Sequence, residues 1–375
     1  MEKDRKMKKQ LFFFIGTEAE FIKVFPILVK AKEKGILCHI IASGQNDLTG
    51  SRIMEFIQLN GRFVELSKES SIKKSKTGLL RWFIKTKIIA KKQILKSFSK
   101  EELKGQDLIV HGDTISTFMG AWLGKQLSMR VCHVEAGLRS HNLLNPFPEE
   151  IDRLLTSRLA RVHFAPGKEP SQNLMKSRVS GIIVNTGFNT ILDSLRISKM
   201  MPIATEGLQD IIKDDYFVFV MHRQENMIQT DFFDSVLNHV IELSKERKCV
   251  LILHKITENK LAEMNRLKEL EANKNFILLP RVDYFDFMKL LDGAKFVITD
   301  GGSNQEELHY MGKPCLIMRK TTERKEGIGQ NAKLYGGNVD AVTDFAREYE
   351  NMKILPVEEK YSPSKVILRF LIKND

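Results

Sequence analysis

Short apolar runs alternate with helix-period stretches along almost the whole chain, and few folds accommodate such a pattern. Residues 11–16 (LFFFIG) read as a strand, and 18–34 as a helix with Ile22, Phe25, Leu28 and Val29 inward. Residues 37–43 are the next strand, ended by Gly44. Strands at 107–113 and 130–137 are followed by helices at 114–127 and 148–159, and 162–167 and 182–187 continue the series. The periodicity fades over 197–214, around KMMPIATEGL, which is the expected linker. A second series follows, with strands at 217–222, 249–254, 276–280, 295–300 and 315–318. Its helices are expected at 232–247, 259–270, 284–291 and 304–311. Strand–helix alternation of this kind predicts an α/β protein of two Rossmann-like, doubly wound parallel domains, residues 1–200 and 201–359, with the site in the cleft between them. A chain of 375 residues with 42% hydrophobic and 28% charged residues is long enough to give each domain a core.

Cys38, Cys132, Cys249 and Cys315 are widely spread and form no CxxC pair, so neither a zinc site nor a disulfide framework is expected, and a reducing cytoplasm fits best. The amino terminus superficially resembles a signal peptide. Its apolar run, 11–15, is too short for one, and Glu18 and Glu20 follow at once. No stretch is long and uncharged enough to span a bilayer.

Much of the net charge of +12 is local. From Lys73 to Lys104, eleven lysines and arginines meet only Glu101 and Glu102, a net of +9. The segment LLRWFIKTKIIAKKQILKSF, residues 79–98, has apolar residues at helical spacing: Leu80, Ile84, Ile88 and Leu95. A surface helix with a solvated basic face is the plain reading. A basic helix in peripheral contact with an anionic membrane is the sharper one, prompted by Trp82 and Phe83. Nucleic acid is not expected as a partner, because no recognition motif accompanies the charge.

Chemistry concentrates in residues 111–153. Asp113 and Thr114 follow one strand, His133 and Glu135 close another, and Glu149-Glu150 stand after two prolines at a helix start. Ligands of open parallel sheets bind beyond the carboxyl ends of the strands, so Asp113, Glu135 and Glu149 are expected to converge. In the second half, VITDGGSNQEE is a strand, a Gly301-Gly302 turn and a helix start. That arrangement suits a diphosphate, with Ser303 or Asn304 as cap or donor. Arg319, Thr321, Thr322 and Arg324 follow the next strand and suit an anion. His222-Arg223 closes the strand FVFVM.

HGDT, HVEAGLRS, PFPEEIDR, MHRQEN, QEE and TTER together resemble the bacterial UDP-N-acetylglucosamine 2-epimerase family, over nearly the whole chain. The resemblance implies a glycosyltransferase-B type fold whose last helix, within about 360–375, packs back on the first domain. It implies Asp113, Glu135, Glu149 and His222 as catalytic residues, with no metal or redox cofactor. Lys23, Arg139, Arg223 and Arg324 fall on basic motif positions, and Glu307 on the carboxylate that grips the ribose hydroxyls. The implied substrate is a UDP-sugar, the implied assembly a homodimer, and the implied product a precursor of surface polysaccharide. TTER favours the non-hydrolysing branch. The chain departs from the family at Glu18, where an arginine is usual, at Asn46 and Lys255, and in the glycine loop, where Ser303 follows rather than precedes the glycines. Three alternatives stand beside the non-hydrolysing epimerase: a hydrolysing epimerase acting on this or a related deoxy or diacetamido sugar and a non-catalytic nucleotide-sugar binder, both prompted by Glu18, and a glycosyltransferase of the same fold, with the basic helix holding it near a lipid acceptor.

Overall fold

The computed structural model describes residues 9–68, 76–142, 148–322 and 324–373. Lys73, Pro146, Glu323 and the Leu80 side chain, singled out above, lie outside the described residues.

Thirteen strands are described: β1 (Gln10–Ile15), β2 (Leu37–Ala42), β3 (Phe63–Glu65), β4 (Asp107–His111), β5 (Arg130–Val134), β6 (Val162–Ala165), β7 (Ile182–Asn185), β8 (Tyr216–Val220), β9 (Lys248–Leu253), β10 (Phe276–Pro280), β11 (Val297–Thr299), β12 (Cys315–Ile317) and β13 (Ala332–Leu334). They form two parallel sheets, in the α/β arrangement that the alternation predicts. The first compact unit runs to Ser194 and takes in the stretch from Lys360. Its sheet is ordered β3-β2-β1-β4-β5-β6-β7. The second unit, Leu195–Glu359, holds a sheet ordered β10-β9-β8-β11-β12-β13.

Helices cover both faces of a parallel sheet, so central strands are apolar throughout instead of alternating. Leu11 to Ile15 are accordingly all buried, as are Tyr216 to Val220. The Glu18–Glu33 helix starts where the Thr17 hydroxyl accepts from the Glu20 amide. The Pro363–Lys373 helix lies against it. The amide of Ser364 and the hydroxyl of Ser362 both donate to Asp193, and Phe370 meets Phe164 edge-on at 5.7 Å. All four cysteines are free and buried.

One expectation needs correction. The single helix expected over 259–270 is two, Lys255–Glu263 and Leu267–Ala272. They part at Asn265, whose φ of 58° is left-handed, a conformation asparagine tolerates better than most residues. The basic segment does form a helix, Lys76–Ser97, and of the apolar residues noted at helical spacing Leu95 packs against the core whereas Ile84 and Ile88 do not. Trp82, Thr86, Ala90 and Ile94 are buried, and Trp82 donates to Ser67 at 2.8 Å. Ile84 and Ile88 are 50% and 74% exposed. Two apolar stripes compete in this sequence, and the one ending in Phe98 won because it fills the core beside Phe12, Phe14 and Met119.

Candidate active site

In each sheet the strand order reverses at one point, β1/β4 in the first and β8/β11 in the second, and the carboxyl ends at such a switch point are where open parallel sheets bind their ligands. Most of the sequence-predicted residues lie near these two switch points.

In the first unit, Glu135 follows β5. Its φ of 63° puts a bulky residue in the left-handed region, a strain of about 1–3 kcal/mol that the surroundings must hold. They do so through its carboxylate. Lys23 Nζ, from the Glu18–Glu33 helix, stands 2.6 Å from Oε2, and the Asn189 side-chain amide donates to the same oxygen. His111 Nε2 lies 3.5 Å away. Lys23, Glu135, His111 and Asn189 are all buried. Gly137, two residues on, has a φ of 88°, and a Cβ there would stand 2.2 Å from the Pro170 carbonyl oxygen. Only glycine lets the chain turn from Glu135 to Arg139 beside that carbonyl.

Asp113 follows β4 and is about a quarter exposed; it pairs with Arg153. Burial pulls the Arg153 guanidinium toward neutrality, and Asp113, Glu135 and Glu150 outweigh it and hold it charged. Glu149 opens the Glu149–Leu159 helix, and one of its oxygens is buried with no hydrogen-bond partner among the described residues. Asp152, one turn along, is pushed up to about 7, chiefly by burial and then by the charges of Asp113 and Glu149. Asp113 thus acts with Glu135 on Arg153 and with Glu149 on Asp152, which puts the three acids in linked electrostatic surroundings. Arg139 stands one layer out. It grips Glu150, which also accepts from the Ser140 amide at 3.1 Å. Arg139 and Arg153 line a separate cavity of about 240 Å³ with Leu154, Asn173 and Leu174, and none of the acids opens into it. His133 is structural: buried, bonded to the Gly112 carbonyl oxygen at 2.8 Å, and driven down to about 3 by burial.

Sequence reasoning missed two acids here. Glu20 is buried, accepts from the Gly16 amide at 2.7 Å and from the Thr114 hydroxyl, and is raised to about 7, chiefly by burial. Asp152 is the other. Both stay protonated at a pH where most carboxyls ionise, so this region holds proton donors beside carboxylates. The signal for Glu20 was present, an acid three residues after the helix cap Thr17, but it reads as capping chemistry. For Asn189 nothing in the sequence points to Glu135.

A pH prediction follows. The folded chain keeps the Glu20 proton until about 7, whereas an ordinary glutamate, near 4.5, has lost it well below. The unfolded chain thus binds fewer protons between these values, and the folded state loses stability as pH rises through that window. Glu20→Gln removes this term. Between pH 5 and pH 8 the wild type is expected to lose about 2–3 kcal/mol relative to the variant in urea unfolding. Parallel pH profiles would refute the assignment.

In the second unit, Asp300 is the hub. This fully buried carboxylate accepts from the backbone amides of His222 and Arg223, at 3.1 and 2.9 Å, and from the Asn226 side chain at 2.9 Å. It thereby fixes the loop that follows β8. The His222 ring stacks on His254 with centroids 4.4 Å apart. Burial, then the charges of His222 and Arg281, drive His254 down to about 4. Next to Asp300, the Gly302–Met311 helix begins with Gly301 as its cap and no side chain over its end. Of the two roles expected for Ser303 or Asn304, cap or donor, neither side chain takes the capping one. Asn304 instead accepts from Thr299 at 3.2 Å and donates to Glu307 at 3.0 Å. A Cβ on Gly301 would stand 2.5 Å from Asn304 Oδ1. The helix end therefore offers bare amides and a positive dipole, with Glu307 buried one turn in.

Arg324 pairs with Glu306, which also accepts from Tyr310 at 2.9 Å. Gln305 ties this loop down, donating to the carbonyl oxygens of residues 324 and 326 and accepting from Thr322 at 3.0 Å. Arg319 leaves β12 half-buried, and the Arg223 guanidinium turns to Glu225 at 2.8 Å. Of the departures, Asn46 accepts from the Glu18 amide at 3.3 Å, so two altered positions are neighbours. Lys255 is exposed and pairs with Glu258 at 2.9 Å.

The family model described as UDP-N-acetylglucosamine 2-epimerase matches residues 31–361. The UDP-N-acetylglucosamine 2-epimerase of Methanocaldococcus jannaschii is 29% identical over 338 residues, 88% of each chain. That of Salmonella borreze is 30% identical over 337 residues, 87% of this chain and 85% of the other. Among solved structures, the UDP-N-acetylglucosamine 2-epimerase of Neisseria meningitidis bound to UDP-N-acetylglucosamine aligns with a TM-score of 0.78 at 25% identity, covering 97% of this chain and 100% of that one.

Proposed function

The chain belongs to the UDP-N-acetylglucosamine 2-epimerase family, and from that premise we propose that it interconverts UDP-N-acetylglucosamine and UDP-N-acetylmannosamine without net hydrolysis. The C2 proton of an N-acetylhexosamine is barely acidic. Its removal becomes feasible when UDP leaves C1. The C2–H electron pair becomes the C1=C2 bond of a 2-acetamidoglucal, and the C1–O pair departs on the diphosphate. Return of a proton to the other face of C2, with attack of the UDP oxygen on C1, gives the epimer. This chemistry asks for a carboxylate base, a protonated acid and a cationic cradle for the leaving diphosphate.

The observation that carries the reading is Glu135, strained at a strand end and held by Lys23 and Asn189, in the neighbourhood of Asp113, Glu149 and the proton-bearing Asp152. One carboxylate takes the C2 proton and another acid of the group returns one. The second unit carries residues suited to a nucleotide. Glu307 accepts from the ribose hydroxyls, while the amides after Gly301, with Arg319 and Arg324, take the diphosphate. His222 and Arg223 stabilise the charge it gains on leaving.

Incubation with UDP-N-acetylglucosamine in D₂O tests this. Deuterium at C2 with UDP still attached is the expected NMR result. Free UDP with N-acetylmannosamine, the outcome that the departure at Glu18 makes worth checking, would move the chain to the hydrolysing branch. Turnover only on addition of an acceptor would make it a transferase. At the nucleotide half, Glu307→Gln is expected to weaken UDP binding about 10- to 100-fold by calorimetry, and unchanged affinity would remove Glu307 from the ribose. Family membership also supports a homodimer, which light scattering would report as a two-chain mass; a one-chain mass would refute it.

A further inference from the structure

The Lys76–Ser97 helix carries an outward face that neither the core nor the reaction explains. Inward, Trp82, Thr86, Ala90 and Ile94 are buried, and Phe83 stacks on Phe118. Lys87 lies over the Trp122 ring at 4.3 Å, so it too belongs to the fold. Outward, Ile84, Ile88 and Ile89 are 50%, 74% and 44% exposed, and Arg81, Lys85, Lys92 and Lys96 stand among them. None of these four cations has a carboxylate partner among the described residues. No Asp or Glu occurs between Lys73 and Lys100.

We propose that this face docks the protein on an anionic lipid bilayer. Twenty-two helical residues make a strip about 33 Å long. Its isoleucines and cations alternate along one exposed side, which matches a plane of phosphates over hydrocarbon. The lysine stems let the ammonium groups reach the headgroups while the isoleucines enter the interface. The same observations disfavour other partners. Nucleic acid would use the cations and leave the isoleucines in water, and the aromatic residues that could stack on bases are turned inward. Pairing with a second copy of this face around a two-fold axis would bring like charges together. Trp82 and Phe83, which first suggested a membrane, play no part: the lipid-facing apolar groups are the isoleucines. No helix among the described residues is long and apolar enough to cross a membrane, so the contact is peripheral.

Flotation with vesicles tests the proposal. The full chain is expected to float with phosphatidylcholine–phosphatidylglycerol vesicles at low salt, not with pure phosphatidylcholine, and to be released at about 0.5 M salt. Ile88→Ser, and separately Lys85→Glu with Lys92→Glu, are each expected to weaken binding about tenfold or more while leaving epimerase turnover unchanged. Failure to float on the anionic vesicles at low salt overturns the proposal. So does flotation that both variants retain. Duplex DNA binding lost in the lysine variant but kept in Ile88→Ser, without flotation, assigns the face to nucleic acid. A dimer dissociated by Ile88→Ser, without flotation, assigns it to a second copy.

Discussion

Glu135→Gln is expected to turn over UDP-N-acetylglucosamine about 10³-fold more slowly than the wild-type chain, the scale of one lost acid–base group, while UDP binds as before. The exchange of one oxygen for nitrogen keeps volume and shape at a buried position with φ 63°, so the strained backbone need not move. It removes the negative charge that Lys23 meets at 2.6 Å and the second carboxylate oxygen. The amide oxygen can still accept from Lys23 or Asn189, and the folded state is expected to lose about 1–3 kcal/mol, not to collapse. Turnover per folded molecule and UDP affinity are the paired measurements. A rate within tenfold of wild type would take Glu135 out of the chemistry, and an equal loss of UDP affinity would make its role one of binding.

Lys23→Met is the second large effect. It is expected to destabilise the chain by about 3–5 kcal/mol, because it strands a buried carboxylate without its ammonium partner. Surface pairs in the same protein, such as Lys213–Asp210, are exposed on both sides and are expected to contribute little when broken. Methionine matches the lysine stem, so packing is kept and charge is the variable. A cycle isolates the pair. Replacing Lys23 and Glu135 together by methionine removes both buried charges, and the double variant is expected to recover much of the lost stability with no activity. Additive losses in urea unfolding would mean that the two side chains act independently.

The α/β class and most of the thirteen strands were legible because a parallel sheet buried on both faces writes itself as short apolar runs. The positions of Asp113, Glu135, His222 and Gly301 were legible because strand ends are where such sheets bind ligands, and those ends can be read locally; Glu149 was read from its place at a helix start. The Gly302–Met311 helix start was recognised, with the choice between cap and donor left open. Ser303 and Asn304 looked like caps by type, and only the fold shows Asn304 turned between Thr299 and Glu307.

Partnerships at long range could not be read. Lys23 reaches Glu135 across 112 residues, Asn189 across 54, and the His222 amide meets Asp300 across 78. Each meeting depends on strand order, which decides which loops come together. The shifts of Glu20 and Asp152 depend on burial, a property of the packed whole. The basic helix shows the division most plainly. Composition alone determined that residues 76–97 carry cations and no acid. Two apolar stripes at nearly the same spacing left the inward face open, and packing beside Phe12, Phe14 and Met119 selected the stripe through Trp82 and Ile94, turning Ile84 and Ile88 to solvent.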